Sequence, residues 1–203
     1  MDTRRIAFVG IMSALGMTLS ILSINIAPYL GSVGQNGAAL DLSHVATFVA
    51  AFFGGPIMGA MVGLLGGIYA GFYFGYVGGT LGLLSLIGLP LGKALTGLVA
   101  GFLYRRTGLG TDLRRSWLAL PLTLLSYIPE SLYTVLYFLY LVVPIYGQAM
   151  TFMIPLVIPK AWIEITVMSL LMGALAGNSG FRKFINRFLY LQGSKRTAEE
   201  TRA

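Results

Sequence analysis

Cysteine is absent from this chain of 203 residues, and histidine occurs once, as His44. Without cysteine there is no disulfide framework, no thiolate metal site and no cysteine nucleophile. A catalytic zinc site needs three protein ligands, and the single histidine with its neighbour Asp41 falls short of that set. We therefore expect neither a resident metal ion nor a cofactor of the chain's own.

Charged side chains are also scarce. They make up 10% of the chain, whereas soluble domains carry about 25%. Hydrophobic residues make up 56%, and the mean hydropathy is +0.79. This composition is typical of an integral membrane protein and excludes an ordinary soluble domain.

Basic residues outnumber acidic residues by 14 to 7, which by itself would allow a nucleic-acid partner. The basic residues cluster, however, at 4–5, 105–115 and 182–202, between apolar stretches. In membrane proteins Lys and Arg concentrate in the cytoplasmic loops. We therefore predict that the chain lies in a lipid bilayer, has no nucleic-acid partner, and is oriented by these clusters.

Five apolar stretches are long enough to cross a hydrocarbon core of about 30 Å, which takes about 20 helical residues. They are Ile6–Ile26, Ile57–Phe74, Thr80–Tyr104, Trp117–Val143 and Met150–Ala176. A sixth stretch, His44–Phe53, is short, and Gly54-Gly55-Pro56 separates it from the next. A short helix can still cross if other helices enclose it.

Six crossings with a cytoplasmic N-terminus would place 105–116 and everything from 177 onward in the cytoplasm. Three segments would face outside and contain no Lys or Arg: 27–43, 75–79 and 144–149. The sequence thus predicts an all-α integral membrane protein with six transmembrane helices and both termini cytoplasmic. We expect a single membrane domain over 1–180 and a basic cytoplasmic tail over 181–203.

One span carries a glycine at every fourth position, namely at Gly59, Gly63, Gly67 and Gly71. Small residues at this spacing share a helix face and let two backbones approach closely in lipid. We expect this face to pack against another helix of the same chain. The first span carries a shorter version of the pattern, Gly10 and Ala14, where a contact with a partner protein is also open.

Four ionisable residues lie within the apolar spans, namely Lys93, Glu130, Lys160 and Glu164. A charge near the bilayer centre costs at least ~2.5–3.5 kcal/mol, so its presence indicates pairing or function. One hypothesis is two ion pairs, Lys160 with Glu164 in one span and Lys93 with Glu130 between spans. The other is a ligand site, and a pair can serve both purposes.

Residues 40–67 read LDLSHVATFVAAFFGGPIMGAMVGLLGG. This stretch resembles the second and third helices of the substrate-binding S components of energy-coupling factor (ECF) vitamin transporters, the riboflavin-type members above all. Those members carry Asp-x-Ser-Asp, an apolar run and then Gly-Pro-x-x-Gly. Asp41 and Ser43 match that beginning, and His44 stands in place of its last aspartate.

Two further segments carry the resemblance. The stretch IPLVIPK at 154–160 is similar to the Pro-x-Asn-x-x-Lys segment that contacts the ligand in that family. Lys160 matches its lysine, and Val157 replaces its asparagine. Gly10 and Ala14 resemble the Ala-x-x-x-Ala motif with which such subunits dock on their coupling protein.

The resemblance implies a substrate-capture subunit of an ATP-driven vitamin uptake transporter, a multi-pass protein of a prokaryotic cell membrane. Such a subunit has no ATPase activity of its own and works with a membrane coupling protein and two cytoplasmic ATPases. The vitamin is then a transported ligand that binds from outside. Riboflavin is the first expectation, and other heteroaromatic vitamins stay open because His44 and Val157 depart from the riboflavin-type pattern.

The matches and the polar groups in the spans together give a candidate substrate site. Its residues are Asp41, Ser43, His44, Tyr127, Glu130, Lys160 and Glu164, and the candidate partner-docking residues are Gly10 and Ala14. The glycine-rich loop 31–39 would close over the pocket. Few cations and many aromatic rings favour a flat organic ligand of little net charge over a small anion or a metal ion.

Two other functional classes remain open. A self-sufficient secondary transporter would use Glu130 or Glu164 as a proton site and would need a pH gradient but no ATPase. An intramembrane enzyme would use one of the same carboxylates as a general base and would act on lipids without partners. Inverted internal repeats would favour the secondary transporter, and none is visible in the sequence.

Overall fold

The computed structural model describes residues 2–26, 41–79, 81–109 and 113–190. Within these ranges the chain consists of helices joined by short turns, with no β-strand. The predicted lid loop 31–39 and residues 191–203 of the predicted tail lie outside the described residues.

The α-helices are α1 (Thr3–Ile26), α2 (His44–Gly54), α3 (Pro56–Phe72), α4 (Ser85–Arg106), α5 (Ala119–Tyr137), α6 (Val143–Tyr146), α7 (Met153–Gly177) and α8 (Ser179–Tyr190). Turns of π-helix extend α3 and α5, at Tyr73–Val77 and Phe138–Val142. Turns of 3-10 helix precede α5 and α7, at Leu113–Leu118 and Gln148–Phe152. The long helices therefore continue past the ends of their α-helical parts.

Five helical segments of the described chain are long and apolar enough to cross a bilayer: Thr3–Ile26, Pro56–Val77, Ser85–Arg106, Leu113–Tyr146 and Gln148–Gly177. They coincide with the five long stretches expected from the sequence, which confirms the prediction of an all-helical membrane protein. Large apolar side chains cover the outside of the bundle, and Ile57 and Ile163 are 68% and 65% exposed. Side chains of this kind face lipid in a multi-pass membrane protein.

The helix α2 differs from the others in length. It has 11 residues, which at about 1.5 Å per residue span about half of the hydrocarbon core. Every residue of α2 except Val45 is buried. A helix this short can lie at membrane depth because other helices enclose it and its end groups meet protein instead of lipid. A sixth crossing through α2 stays a prediction.

The chain breaks between α2 and α3 as the Gly-Gly-Pro sequence predicted. Gly55 has a φ of +83°, a conformation that costs glycine little and other residues more. A Cβ atom at this position would also lie 2.5 Å from Nε of Arg105. Pro56 opens α3, where its missing N–H removes no intrahelical hydrogen bond. Two separate helices therefore replace one continuous helix over 44–74.

The helix α8 packs back onto the bundle. Ile185 and Leu189 are buried, and the rings of Phe8 in α1 and Phe188 in α8 lie 6.4 Å apart. The start of α1 and the helix α8 therefore meet at the same end of the bundle. The predicted division at residue 180 falls inside α8, and the function of the tail beyond it stays a prediction.

The glycine face of α3 packs against α4, as predicted. A Cβ atom at Gly67 would lie 2.8 Å from Cα of Pro90, and one at Gly71 would lie 2.7 Å from the carbonyl oxygen of Ser85. Gly63 meets the backbone of Lys93 in the same way. Glycine at these positions therefore sets the distance between the two helices.

We predict that Gly63→Ala destabilises the fold by about 1–3 kcal/mol, because its methyl group would overlap the Lys93 backbone and push α4 outward. Gly173→Ala in α7 is the matched control, since a Cβ atom there meets nothing within 4 Å. Thermal unfolding of the purified protein in detergent measures both. Equal melting temperatures for the two variants would contradict the close α3–α4 contact.

Candidate functional site

A cavity of about 110 Å³ lies where α1 to α5 and α7 converge. Six of the seven predicted substrate-site residues line it: Asp41, His44, Tyr127, Glu130, Lys160 and Glu164. The seventh, Ser43, is buried beside it and contacts Lys93, which also lines the cavity. The structure thus brings together residues that are far apart in sequence, and their role in binding stays a prediction.

Lys93 is the most enclosed charge of the cavity, with 4% of the residue exposed. Its ammonium group donates hydrogen bonds to Oδ2 of Asp41 and Oγ of Ser43. The backbone N–H of Ser43 donates to the other oxygen of Asp41, at 2.9 Å. A buried cation must be paired and hydrogen-bonded, and this segment before α2 supplies both needs.

The predicted ion pair between Lys93 and Glu130 is wrong. Lys93 pairs with Asp41 instead, while Glu130 accepts a hydrogen bond from Oγ1 of Thr96, one turn further along α4. The physical reason is the position of the segment before α2, whose Asp41 and Ser43 side chains already satisfy the Lys93 ammonium group. Of the two predicted pairs, only the one between Lys160 and Glu164 is therefore confirmed.

The predicted pair within α7 is present. Nζ of Lys160 lies 3.2 Å from Oε1 of Glu164, one turn along the same helix. The same carboxylate oxygen accepts a hydrogen bond of 2.7 Å from the backbone N–H of Asp41. Glu164 therefore links α7 to the segment before α2 and also balances the Lys160 charge.

His44 and Glu130 form the least satisfied part of the cavity. Nε2 of His44 lies 3.6 Å from Oε1 of Glu130, beyond hydrogen-bond distance. Nδ1 of His44 is buried and has no hydrogen-bond partner among the described residues. Oγ of Ser20, which also lines the cavity, likewise has no partner among the described residues. Buried polar atoms are nearly always hydrogen-bonded in proteins, so an incoming polar group would gain at these atoms.

Aromatic side chains form the wall next to these polar groups. The ring of Tyr127 lies 6.1 Å from that of His44 and 5.3 Å from that of Trp162, edge to face in both cases. Trp162 is held by a hydrogen bond of 3.2 Å from Nε1 to Oγ of Ser131. Tyr127 lines the cavity and Trp162 packs behind it, so the cavity presents an aromatic ring beside a cluster of donors and acceptors, as is common in sites for organic ligands.

The described residues contain no group of three or more metal-ligating side chains of the His, Cys, Asp and Glu types. Asp41, the acidic neighbour of His44 in the sequence, is already engaged by Lys93. The donor set of the cavity thus suits an organic molecule better than a metal ion.

Residues 4–176 match the family model described as ECF transporter, substrate-specific component. The chain belongs to this family. No curated protein and no solved structure matches it. Members of the family are substrate-binding subunits of transporters and not catalytic enzymes, and they generally work with an ECF module of coupling protein and ATPases. The resemblance to ECF S components is therefore confirmed, and the riboflavin type stays a prediction.

The predicted docking residues of this S component lie on the outside of α1. Gly10 and Ala14 are exposed, and a Cβ atom at Gly10 would meet nothing within 4 Å. The opposite side of α1 is buried, with Gly16 lying against Gly66 of α3. The Gly10–Ala14 face is therefore not used for packing within the described chain.

The sequence prediction of the S-component site missed Lys93 and Thr96 as members of it. Lys93 was noticed as a buried charge, but nothing in the sequence placed it beside Asp41, 52 residues earlier. Thr96 is completely buried in the middle of an apolar helix. The sequence did contain one signal for Thr96: it follows Lys93 by three residues, so the two side chains lie on the same face of the helix.

We predict that Lys93→Met costs about 3–5 kcal/mol of folding stability, because it leaves the Asp41 carboxylate without its cation. Asp41→Asn in the same background should restore part of that loss. A double-mutant cycle on thermal unfolding measures the coupling, which should reach about 1 kcal/mol or more. Asp2→Asn, at an exposed carboxylate, is the control: its effect on stability and that of Lys93→Met should be additive. Additive effects of Lys93→Met and Asp41→Asn would contradict the pairing.

Proposed function

We propose that this S component is the substrate-capture subunit of an ATP-driven vitamin uptake transporter in a prokaryotic cell membrane. Its ligand is a flat heteroaromatic vitamin bound from the outer side, and riboflavin is the first candidate. The observation that carries the proposal is the cavity between the helices, where paired charges, polar atoms without partners and aromatic side chains lie together.

Six crossings with both termini cytoplasmic are part of this proposal. The contact between Phe8 and Phe188 puts the start of α1 and the helix α8 at one end of the bundle, as an even number of crossings requires. Arg105 and Arg106 end α4 and Arg115 precedes α5, whereas no Lys or Arg occurs in 27–43. The positive-inside rule then assigns that end to the cytoplasm.

The charges of the cavity support a ligand with little net charge. Both lysines that line it are already paired with carboxylates, Lys93 with Asp41 and Lys160 with Glu164. A small anion would need cations that are free to surround it. The polar atoms that remain, on His44 and Glu130, suit a ring edge that carries both a hydrogen-bond donor and an acceptor.

The size of the cavity bears on the choice of vitamin. Its volume of about 110 Å³ is below the about 300–1,000 Å³ of common ligand pockets. A three-ring ligand such as riboflavin therefore requires lining side chains to move apart as it binds. A vitamin with a single heteroaromatic ring needs less displacement, and both sizes belong in the same binding experiment.

We predict micromolar or tighter binding of riboflavin to the purified protein, seen as quenching of flavin fluorescence. Lys160→Met should weaken the binding at least about tenfold, or about 1.4 kcal/mol, because it removes a charge-assisted hydrogen bond in a cavity of low polarity. Lys183→Met, an exposed lysine of α8, is the matched control and should leave the affinity unchanged.

The affinity of the same protein for single-ring vitamins is measured in parallel by titration calorimetry. No quenching by folded, ligand-free protein would exclude riboflavin and leave another vitamin to be found by the same titration. Unchanged affinity of folded Lys160→Met for whichever vitamin binds would remove Lys160 from the site.

The exposed face of α1 around Gly10 and Ala14 is the proposed contact with the coupling protein. We predict that Ala14→Trp abolishes vitamin uptake by cells that contain the ECF module, since close backbone approach is no longer possible. Vitamin binding by the isolated subunit should stay normal. Ile163→Trp, on an exposed part of α7, is the control and should retain both activities.

Loss of vitamin binding or of folding in Ala14→Trp would show that this face belongs inside the chain. Uptake by the chain alone, driven by a pH gradient without ATPases, would instead favour the secondary transporter with a proton site at Glu130 or Glu164.

A further inference from the structure

The helix α8 has two unlike sides at the end of the bundle where α1 begins. Ile185 and Leu189 face the core and are buried. The other side exposes Phe184 and Phe188, which are 69% and 38% exposed, next to the exposed Arg187. A helix with aromatic and basic residues exposed on one side is typical of the membrane–water interface.

An open cleft lies between this side of α8 and the first turn of α1. It has a volume of about 400 Å³ and is lined by Arg4, Phe184, Arg187 and Phe188. The ring of Phe188 rests against Phe8 of α1, so the two helices that form the cleft are held together by a packed contact. The cleft thus combines two guanidinium groups with two phenyl rings.

Neither Arg4 nor Arg187 forms an ion pair with a carboxylate among the described residues. A guanidinium group binds phosphate in a two-pronged geometry that matches its planar fork. Two unpaired guanidinium groups beside apolar rings therefore suit a ligand with a phosphate at one end and hydrocarbon at the other.

The depth of the cleft in the membrane agrees with such a ligand. The chain passes from α7 to α8 at Asn178, whose Oδ1 accepts a hydrogen bond of 2.9 Å from the N–H of Phe181. A Cβ atom at Gly177 would lie 3.5 Å from Oγ of Ser116, and the next residue, Trp117, is 69% exposed. Tryptophan favours the level of the lipid headgroups, so the start of α8 lies at that level.

We propose that the cleft between α1 and α8 is a binding site for an anionic phospholipid. Arg4 and Arg187 bind its phosphate headgroup, and Phe184 and Phe188 contact the upper part of its acyl chains. The site shares no residue with the vitamin cavity, so it does not depend on which ligand that cavity takes. It stabilises the start of α1 against α8 within one leaflet.

The test is a lipid titration of the full-length chain in detergent, followed by native mass spectrometry. The probes are dioleoyl phosphatidylglycerol, which is anionic, and dioleoyl phosphatidylcholine, which has no net charge. We expect the wild-type chain to bind one phosphatidylglycerol in preference to phosphatidylcholine. Arg187→Gln should weaken this binding about fivefold and Arg4→Gln/Arg187→Gln about 30-fold, since each basic residue at the membrane surface contributes about a factor of five.

Arg106→Gln is the matched control, because Arg106 is an exposed arginine at the end of α4 and lies outside the cleft. It should leave the affinity for phosphatidylglycerol unchanged. Phe184→Ser, at a side chain that is 69% exposed, should weaken the binding of this lipid while leaving any binding of inorganic phosphate as it was. Thermal unfolding of each variant shows that the fold is kept, as expected for exposed positions.

Several outcomes would overturn the proposal. Equal losses for Arg106→Gln and Arg187→Gln would show a diffuse basic surface with no specific site. Displacement of the lipid by inorganic phosphate at millimolar concentration would assign the cleft to a free anion. A dimer that dissociates in Arg187→Gln would assign it to a second copy of the chain, and a cross-link from Glu199 or Glu200 to the cleft would assign it to the chain's own tail.

Discussion

The buried ammonium group of Lys93 constrains most of the structure around the cavity. It sits in the middle of α4, away from water, and must be compensated where it lies. Asp41 and Ser43 do this from the segment before α2, which therefore has to lie across α4. Because the N–H of Asp41 also bonds Glu164, the same constraint brings α7 into place and puts His44 beside Glu130.

The glycine face of α3 is the packing counterpart of this electrostatic constraint. A Cβ atom at Gly67 would lie 3.2 Å from Cδ of Lys93, so the lysine stem runs along the glycine face towards the cavity. Larger residues on α3 would both separate the helices and obstruct the stem. The glycines thus allow the close contact between α3 and α4 and also leave room for the Lys93 side chain. A larger residue on this face would disturb both.

Local chemistry decides how much of this could be predicted from the sequence. The Lys160–Glu164 pair was predictable because both residues lie one turn apart on one helix. The glycine face and the break at Gly55 were predictable for the same reason, since spacing and backbone preference act over a few residues. The partner of Lys93 was not, because Asp41 reaches it through a tertiary arrangement that no periodicity encodes. From the sequence, α8 is predicted only as part of a basic tail. Ile185 and Leu189 are four residues apart, however, and this helical spacing of apolar residues was a local signal for an amphipathic helix.

The shortness of α2 has a consequence for biosynthesis. A helix of 11 residues offers too little apolar length to leave the translocation channel for lipid on its own. Its end groups would also meet hydrocarbon until neighbouring helices covered them. The turn at Gly55 and Pro56 joins it to the longer α3, so the two can move into the bilayer as one hairpin. Since Lys93 of α4 compensates Asp41, the hairpin can reach its final arrangement only when α4 is also in place.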